Sequence, residues 1–138
     1  MDLSRNGLES LPVTGSLSHL KNRLTNIVDM TSPLGINISG SIFLDGTQRG
    51  VSIAQLADED HIFSVSLLEI HEDDTFEGIS LTIREYDDLS KTLRNQGYSL
   101  IYKDKMLLVQ GLNLSLNFHA NEFVSISWYH PLAARSQM

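Results

Sequence analysis

From Leu112 to Tyr129 the chain reads LNLSLNFHANEFVSISWY, and nearly every second residue is apolar while those between are mostly Ser or Asn. A period of two puts one set of side chains on a buried surface and the other on the opposite surface of a pleated strand. The run is too long for one strand, and Ala120-Asn121 supplies a turn, so it is read as a hairpin. YSLIYKDKMLLVQG before it is read as a second hairpin, turning near Lys103–Lys105.

The same period recurs upstream. Ile36, Ile38, Ile42 and Leu44 alternate with Asn37, Ser39, Ser41 and Phe43, interrupted at Gly40, where a bulge or a close approach of another backbone is expected. Asp45-Gly46 is a hairpin turn signal. Further strands are expected near Arg49–Leu56, Ile62–Ile70 and Glu77–Arg84, giving a meander of four.

Two segments change period. Leu17, Leu20, Leu24, Ile27 and Val28 recur at three and four, which predicts an amphipathic helix capped by Ser16 and stopping before Pro33. Tyr86, Leu89 and Leu93 predict a second helix, with Asp87 and Asp88 in its first turn, Lys91 and Arg94 toward its end, and Gly97 as the C′ residue. The expectation is therefore an α+β fold: a largely antiparallel sheet of about seven to eight strands with two amphipathic helices packed on it. Residues 1–15 show no period and are read as a flexible N-terminal arm outside the core. Residues 16–130 form the single α+β domain, and 131–138 a C-terminal tail. Helix followed by strands occurs twice, at 16–70 and 86–130, without a residue-level repeat.

Composition narrows the function classes. The chain has 138 residues and no cysteine, so thiol nucleophiles, disulfides and Cys-containing zinc sites are excluded. Its formal net charge is −7 with ten scattered Lys and Arg, which argues against nucleic acid as partner. No apolar run approaches the ~18 residues of a membrane span, and the start carries no export signal, so a cytoplasmic protein is expected. Glycine-rich phosphate loops, nucleophile elbows and metalloprotease helices are missing from the sequence. No catalytic residue, cofactor or metal is expected.

Two features stand out as candidate binding elements. Eight of the 17 acidic residues fall between Ala57 and Glu77, where there is no Lys or Arg. They form two acidic tips, Asp58, Glu59 and Asp60 at one and Glu72, Asp73 and Asp74 at the other, read as solvated turns at opposite ends of the third strand. HEDD at 71–74 lacks the ligand spacing of a calcium loop. The second feature is the polar face of the strands. Ser115, Asn117, Ser125 and Ser127 are small and uncharged, where exposed strand positions usually carry larger or charged groups. That face is expected to be covered by the second helix, a second subunit or an extended partner segment, so that lysine at Ser115 and Ser125 would break assembly or capture.

In gross outline, the size, acidity and order of a helix, three strands and a later helix make the first half similar to small acidic chaperones of bacterial type III secretion. The likeness carries no residue motif, and the strand-rich C-terminal half departs from it. The functional expectation is a non-enzymatic protein-binding module: an adaptor, a dedicated chaperone such as a secretion chaperone, or an immunity-type inhibitor. Its partner would be another protein, basic or presenting an extended segment, and the chain itself a homodimer. The alternative is a small-ligand-binding protein or simple proton-transfer enzyme, with a cavity between curved sheet and helix lined by Tyr98, Tyr102, Phe118 and Trp128.

Overall fold

Two ten-residue strands, β3 (Gly35–Leu44) and β4 (Thr47–Leu56), make the longest hairpin in the computed structural model, which describes residues 1–81, 86–120 and 122–132. They turn at Asp45 and Gly46, whose φ angles of 53° and 78° suit a two-residue hairpin loop between right-twisted strands. β2 (Thr25–Ser32) pairs with the free side of β3, and β5 (Ser64–Leu67) with the free side of β4. In the second half, β8 (Leu100–Lys103), β9 (Met106–Val109), β10 (Leu114–His119) and β11 (Glu122–Tyr129) form another antiparallel meander.

The two meanders join through their last strands. β5 pairs antiparallel with β11 over four residue pairs, and the eight-stranded sheet has the order β2-β3-β4-β5-β11-β10-β9-β8. Read from either edge inward, it is the first strand of a half, then the second, third and fourth. The expected recurrence of helix plus strands is thus a two-fold pseudosymmetry of topology, with Ser66 of β5 directly opposite Ser127 of β11 at the seam.

All the buried apolar side chains of these strands lie on one sheet face. Ile38, Val51, Ile53, Val65, Leu67, Leu107, Leu116, Ile126 and Trp128 are each no more than 2% exposed and belong to one cluster. Burying a Leu, Ile or Val of this kind stabilises the fold by about 1.5–3 kcal/mol. Helix α2 (Tyr86–Asn95) covers this face with Leu89 and Leu93, and ends where Gly97, at φ +96°, lets Tyr98 N–H reach the Leu93 carbonyl.

Three expectations are corrected here. First, the N-terminal arm is part of the core: Leu3, Leu8 and Leu11 are buried, Gly7 lies flat against the Trp128 ring, and the Trp128 indole donates to the Ser4 carbonyl at 2.9 Å. The arm also supplies β1 (Asp2–Leu3), which pairs parallel with β6 (Thr75–Phe76) beside β7 (Ile79–Ser80) in a small second sheet. Among the described residues of the expected strand 77–84 only β7 is extended and paired, and residues 82–85 lie outside the described ones.

Second, the first helix is only α1 (Leu17–Lys21), with Ser16 as cap. Leu20 and Leu24 are buried, but Thr25–Ser32 is an edge strand exposed along its whole length. The β-branched residues Thr25, Ile27, Val28 and Thr31 favour extended backbone. Gly40 receives the crossing chain, since a Cβ there would stand 2.9 Å from the Thr25 carbonyl. Third, HEDD is not wholly a solvated tip, as shown below. Of the predicted tail, only Pro131 and Leu132 are described.

Candidate functional site

Because strand side chains alternate, the small polar residues all emerge on the sheet face opposite the core. The register aligns them into a row running across the strands: Ser39, Ser52, Ser66, Ser127 and Ser115 on β3, β4, β5, β11 and β10 are successive cross-strand partners. Val28 continues the row at the β2 edge, and Leu108 and Ile101 continue it at the β8 edge.

Ser115 and Ser127 of this row, with the neighbouring pair Asn117 and Ser125, were named from sequence, and the structure brings the four together. Asn117 Nδ2 donates to Ser125 Oγ at 2.9 Å and to Ser127 Oγ at 3.0 Å. Ser115 Oγ bonds Asn117 Oδ1 at 2.9 Å and the Tyr129 hydroxyl at 2.8 Å, and Ser127 Oγ bonds Ser66 Oγ at 2.7 Å. One network therefore ties β5, β11 and β10 together across the seam. Ser66 and Tyr129 belong to it and were not among the sequence candidates, although Ser66 sits in the same alternating pattern.

What covers these serines differs from the expectation. Helix α2 packs on the opposite face. Ser115 is 0% exposed because its own sheet encloses it, its hydroxyl held by Asn117 and Tyr129. Lysine at Ser115 would thus break the network itself, and it is not a clean probe of assembly. Ser39 and Ser52, half-buried and outside the described hydrogen bonds, are the open part of the row.

Around this neutral middle the same face carries exposed apolar side chains: Val28, Met30, Phe43, Leu56, Leu68 and Ile101 are 40–66% exposed. The strand positions facing this way carry one acid, Glu122 beside the β10–β11 turn, although the chain has 17. Glu69, just beyond β5, reaches back to accept the Gly50 N–H at 3.1 Å.

The two acidic tips have different fates. Asp58, Glu59 and Asp60 are exposed, and His61 Nδ1 lies 3.6 Å from Glu59 and 3.4 Å from Asp60. Oxygen and nitrogen atoms of Glu59, Asp60 and His61 gather within 4.8 Å, enough to touch a cation but in an open, water-facing arrangement. The His61 ring packs on His130, centroids 4.5 Å apart, and burial together with the His61 charge holds the His130 pKa below its ordinary value.

At the second tip, Glu72 and Asp73 are exposed but Asp74 is 0% exposed. Arg49, 3% exposed on β4, grips it with Nη1 at 2.7 Å and Nη2 at 3.0 Å, and His71 N–H adds a bond of 2.7 Å. Burial alone would raise the Asp74 pKa. The hydrogen bonds and charge of Arg49 and the His71 N–H outweigh it and hold the carboxyl below its usual range. Asp74 is a strut between β4 and the β5–β6 loop and leaves the surface patch.

The aromatic residues expected to line a cavity do not share one. Trp128 and Phe118 are buried, Tyr98 packs on Phe76 at 6.3 Å, and Tyr102 lies against Tyr86 at 4.6 Å. Tyr86, Tyr102, Lys105, Phe118 and Ala120 do outline a cleft of about 230 Å³.

Compared with known proteins, the chain matches no family model, no curated protein and no solved structure. No helix among the described residues is long and apolar enough to cross a membrane.

Proposed function

We propose that this chain is a non-enzymatic protein-binding module, an adaptor or dedicated chaperone, that holds another protein on the outer face of its eight-stranded sheet. The observation carrying this reading is that face itself: among the described residues no helix lies over it, and it has a middle of small neutral side chains and a rim of exposed apolar ones. Small side chains let a partner backbone approach closely, and the rim supplies apolar area to bury. Asp58, Glu59, Asp60, Glu72 and Asp73 flank the sheet and steer a basic partner by their field. The small-ligand or proton-transfer alternative has less support, since only Tyr102 and Phe118 of the four expected aromatics line a common cleft, and Tyr98 and Trp128 lie elsewhere.

The test is capture from native lysate with wild type and with Ser52→Lys, compared by quantitative mass spectrometry. Ser52 is half-buried on the open part of the row, so lysine there places a charge on the face without cutting the described network. A partner retained by wild type and lost with Ser52→Lys, at unchanged melting temperature, supports the proposal. A partner retained equally by both places binding elsewhere.

A further inference from the structure

β2 ends the sheet with every residue from Thr25 to Ser32 exposed. Val28 and Met30 point to the outer face at 55% and 56% exposure, Ile27 is 39% exposed, and Leu34 at the hairpin tip 82%. An edge strand of this length and polarity is normally blunted by lysines, proline or inward charges. β2 has one charge, Asp29, and Lys21 of the same chain neutralises it at 3.0 Å. The opposite edge, β8, is four residues long and ends in Lys103.

The register decides which backbone groups are free. Ser32 and Gly35 close the two-residue hairpin loop, so Ser32, Met30 and Val28 direct their N–H and C=O toward β3, and Asp29 and Thr31 direct theirs outward. An incoming antiparallel strand must pair outward-facing residues with outward-facing residues. For a second β2 related by a two-fold axis, few registers remain. Centring on Asp29 sets two carboxylates side by side. Centring on Thr31 sets Asp29 against Pro33, which has no N–H. Centring on Val28 draws in Asn26, whose φ is +52° and where the pairing shifts. Centring on Met30 keeps the two Asp29 carboxylates apart, sets each opposite a neutral Thr31, whose hydroxyl donates to Asp29 of its own strand at 3.3 Å, and sets Val28 opposite Ser32.

We propose that two copies of this chain pair antiparallel through their β2 edges with Met30 on the two-fold axis, giving a continuous sixteen-stranded sheet. Charge favours a second copy at this edge: the chain carries −7 overall, and β2 with its Lys21 partner is neutral, so two anionic molecules meet here without repulsion. A strand pair with Val28, Met30, Leu34 and Leu56 at its margins lies at the low end of interface sizes, below ~1,200 Å², as in reversible dimers. The pairing is independent of what the outer face holds.

Met30 falls in a non-hydrogen-bonded pair, where Cα atoms lie about 4.5 Å apart, within the range a disulfide spans. The chain has no cysteine, so Met30→Cys introduces a single thiol. Mild oxidation is expected to convert Met30→Cys to a covalent dimer several-fold faster than the exposed β8 control Ile101→Cys; equal rates would overturn the proposal. Thr31→Pro removes an N–H directed away from β3 and leaves the internal ladder whole. By sedimentation near ~100 µM, suited to an interface this small, wild type should show doubled mass and Thr31→Pro the monomer mass, with the same circular dichroism. A monomeric wild type overturns the pairing, as does a Thr31→Pro dimer. A ladder of growing species, the signature of β2 meeting β8 head to tail, overturns it too.

Discussion

Removing the Asp74 carboxylate should be among the most damaging single changes to the fold. In Asp74→Ala, Arg49 stays 3% exposed on β4, keeps only the 3.3 Å bond to the Glu69 carbonyl, and has an Nε that already lacks a partner among the described residues. Breaking one side of a buried, bidentate ion pair costs roughly 3–5 kcal/mol, because the remaining charge is stranded in low dielectric. For 138 residues that corresponds to a melting temperature lower by roughly 10–15 °C. The comparison that isolates the Arg49 charge is the double variant Arg49→Met with Asp74→Ala, which removes both buried ions and leaves only the part-exposed Met1 ammonium that stood 3.4 Å from Asp74. It should recover at least half of the loss, since an apolar pair of similar volume is close to neutral. Urea unfolding monitored by Trp128 fluorescence compares both variants with wild type. An Asp74→Ala loss under ~1 kcal/mol, or a double variant no better than the single, would refute the strut reading. Acid should reproduce the effect. The folded Asp74 pKa is depressed, so its stabilisation is present above the unfolded carboxyl value of ~3.9 and fades as pH falls through the lower folded value.

A second pH window belongs to His130. Its folded pKa is lowered, by burial first and then by His61, so the unfolded chain takes up a proton more readily as pH drops below ~6.5. Stability should decline from that point, and His130→Gln should flatten the slope of the urea midpoint between pH 7 and pH 5; an unchanged slope would assign it to other groups. Gly35→Ala should destabilise the β2–β3 hairpin by roughly 2 kcal/mol or more. Gly35 adopts φ +148°, and an added Cβ would stand 2.2 Å from the Gln55 carbonyl oxygen, so a melting temperature within a degree of wild type would contradict the geometry.

The second half of the fold was legible because its signals agree. Alternation in Leu114–Phe118 and again in Val124–Trp128, a turn at Asp104–Lys105, and Gly97 after Tyr86, Leu89 and Leu93 at helical spacing all specify the same local answer. The first helix misled because Leu17, Leu20, Leu24, Ile27 and Val28 satisfy a helical period, while the last two sit on a strand whose residues are all exposed. Burial gave no vote there, and β-branching decided. The arm was missed for the opposite reason: Leu3, Leu8 and Leu11 are buried without any period, because an irregular segment packs residue by residue. On the outer face, alternation located Ser115, Asn117, Ser125 and Ser127, but that Ser66 and Tyr129 close their network depends on β5 meeting β11. Asp74 looked like its acidic neighbours because its partner, Arg49, lies 25 positions upstream.

The seam has a kinetic consequence. Within each meander, every strand lies beside its neighbour in the chain, so those contacts close short loops cheaply. Ser66 and Ser127, by contrast, are 61 positions apart, and the four pairs around them carry most of the long-range search in the large sheet. A polypeptide arranged this way concentrates its slow event in one place, and a substitution at those pairs changes when the halves meet more than how either half forms.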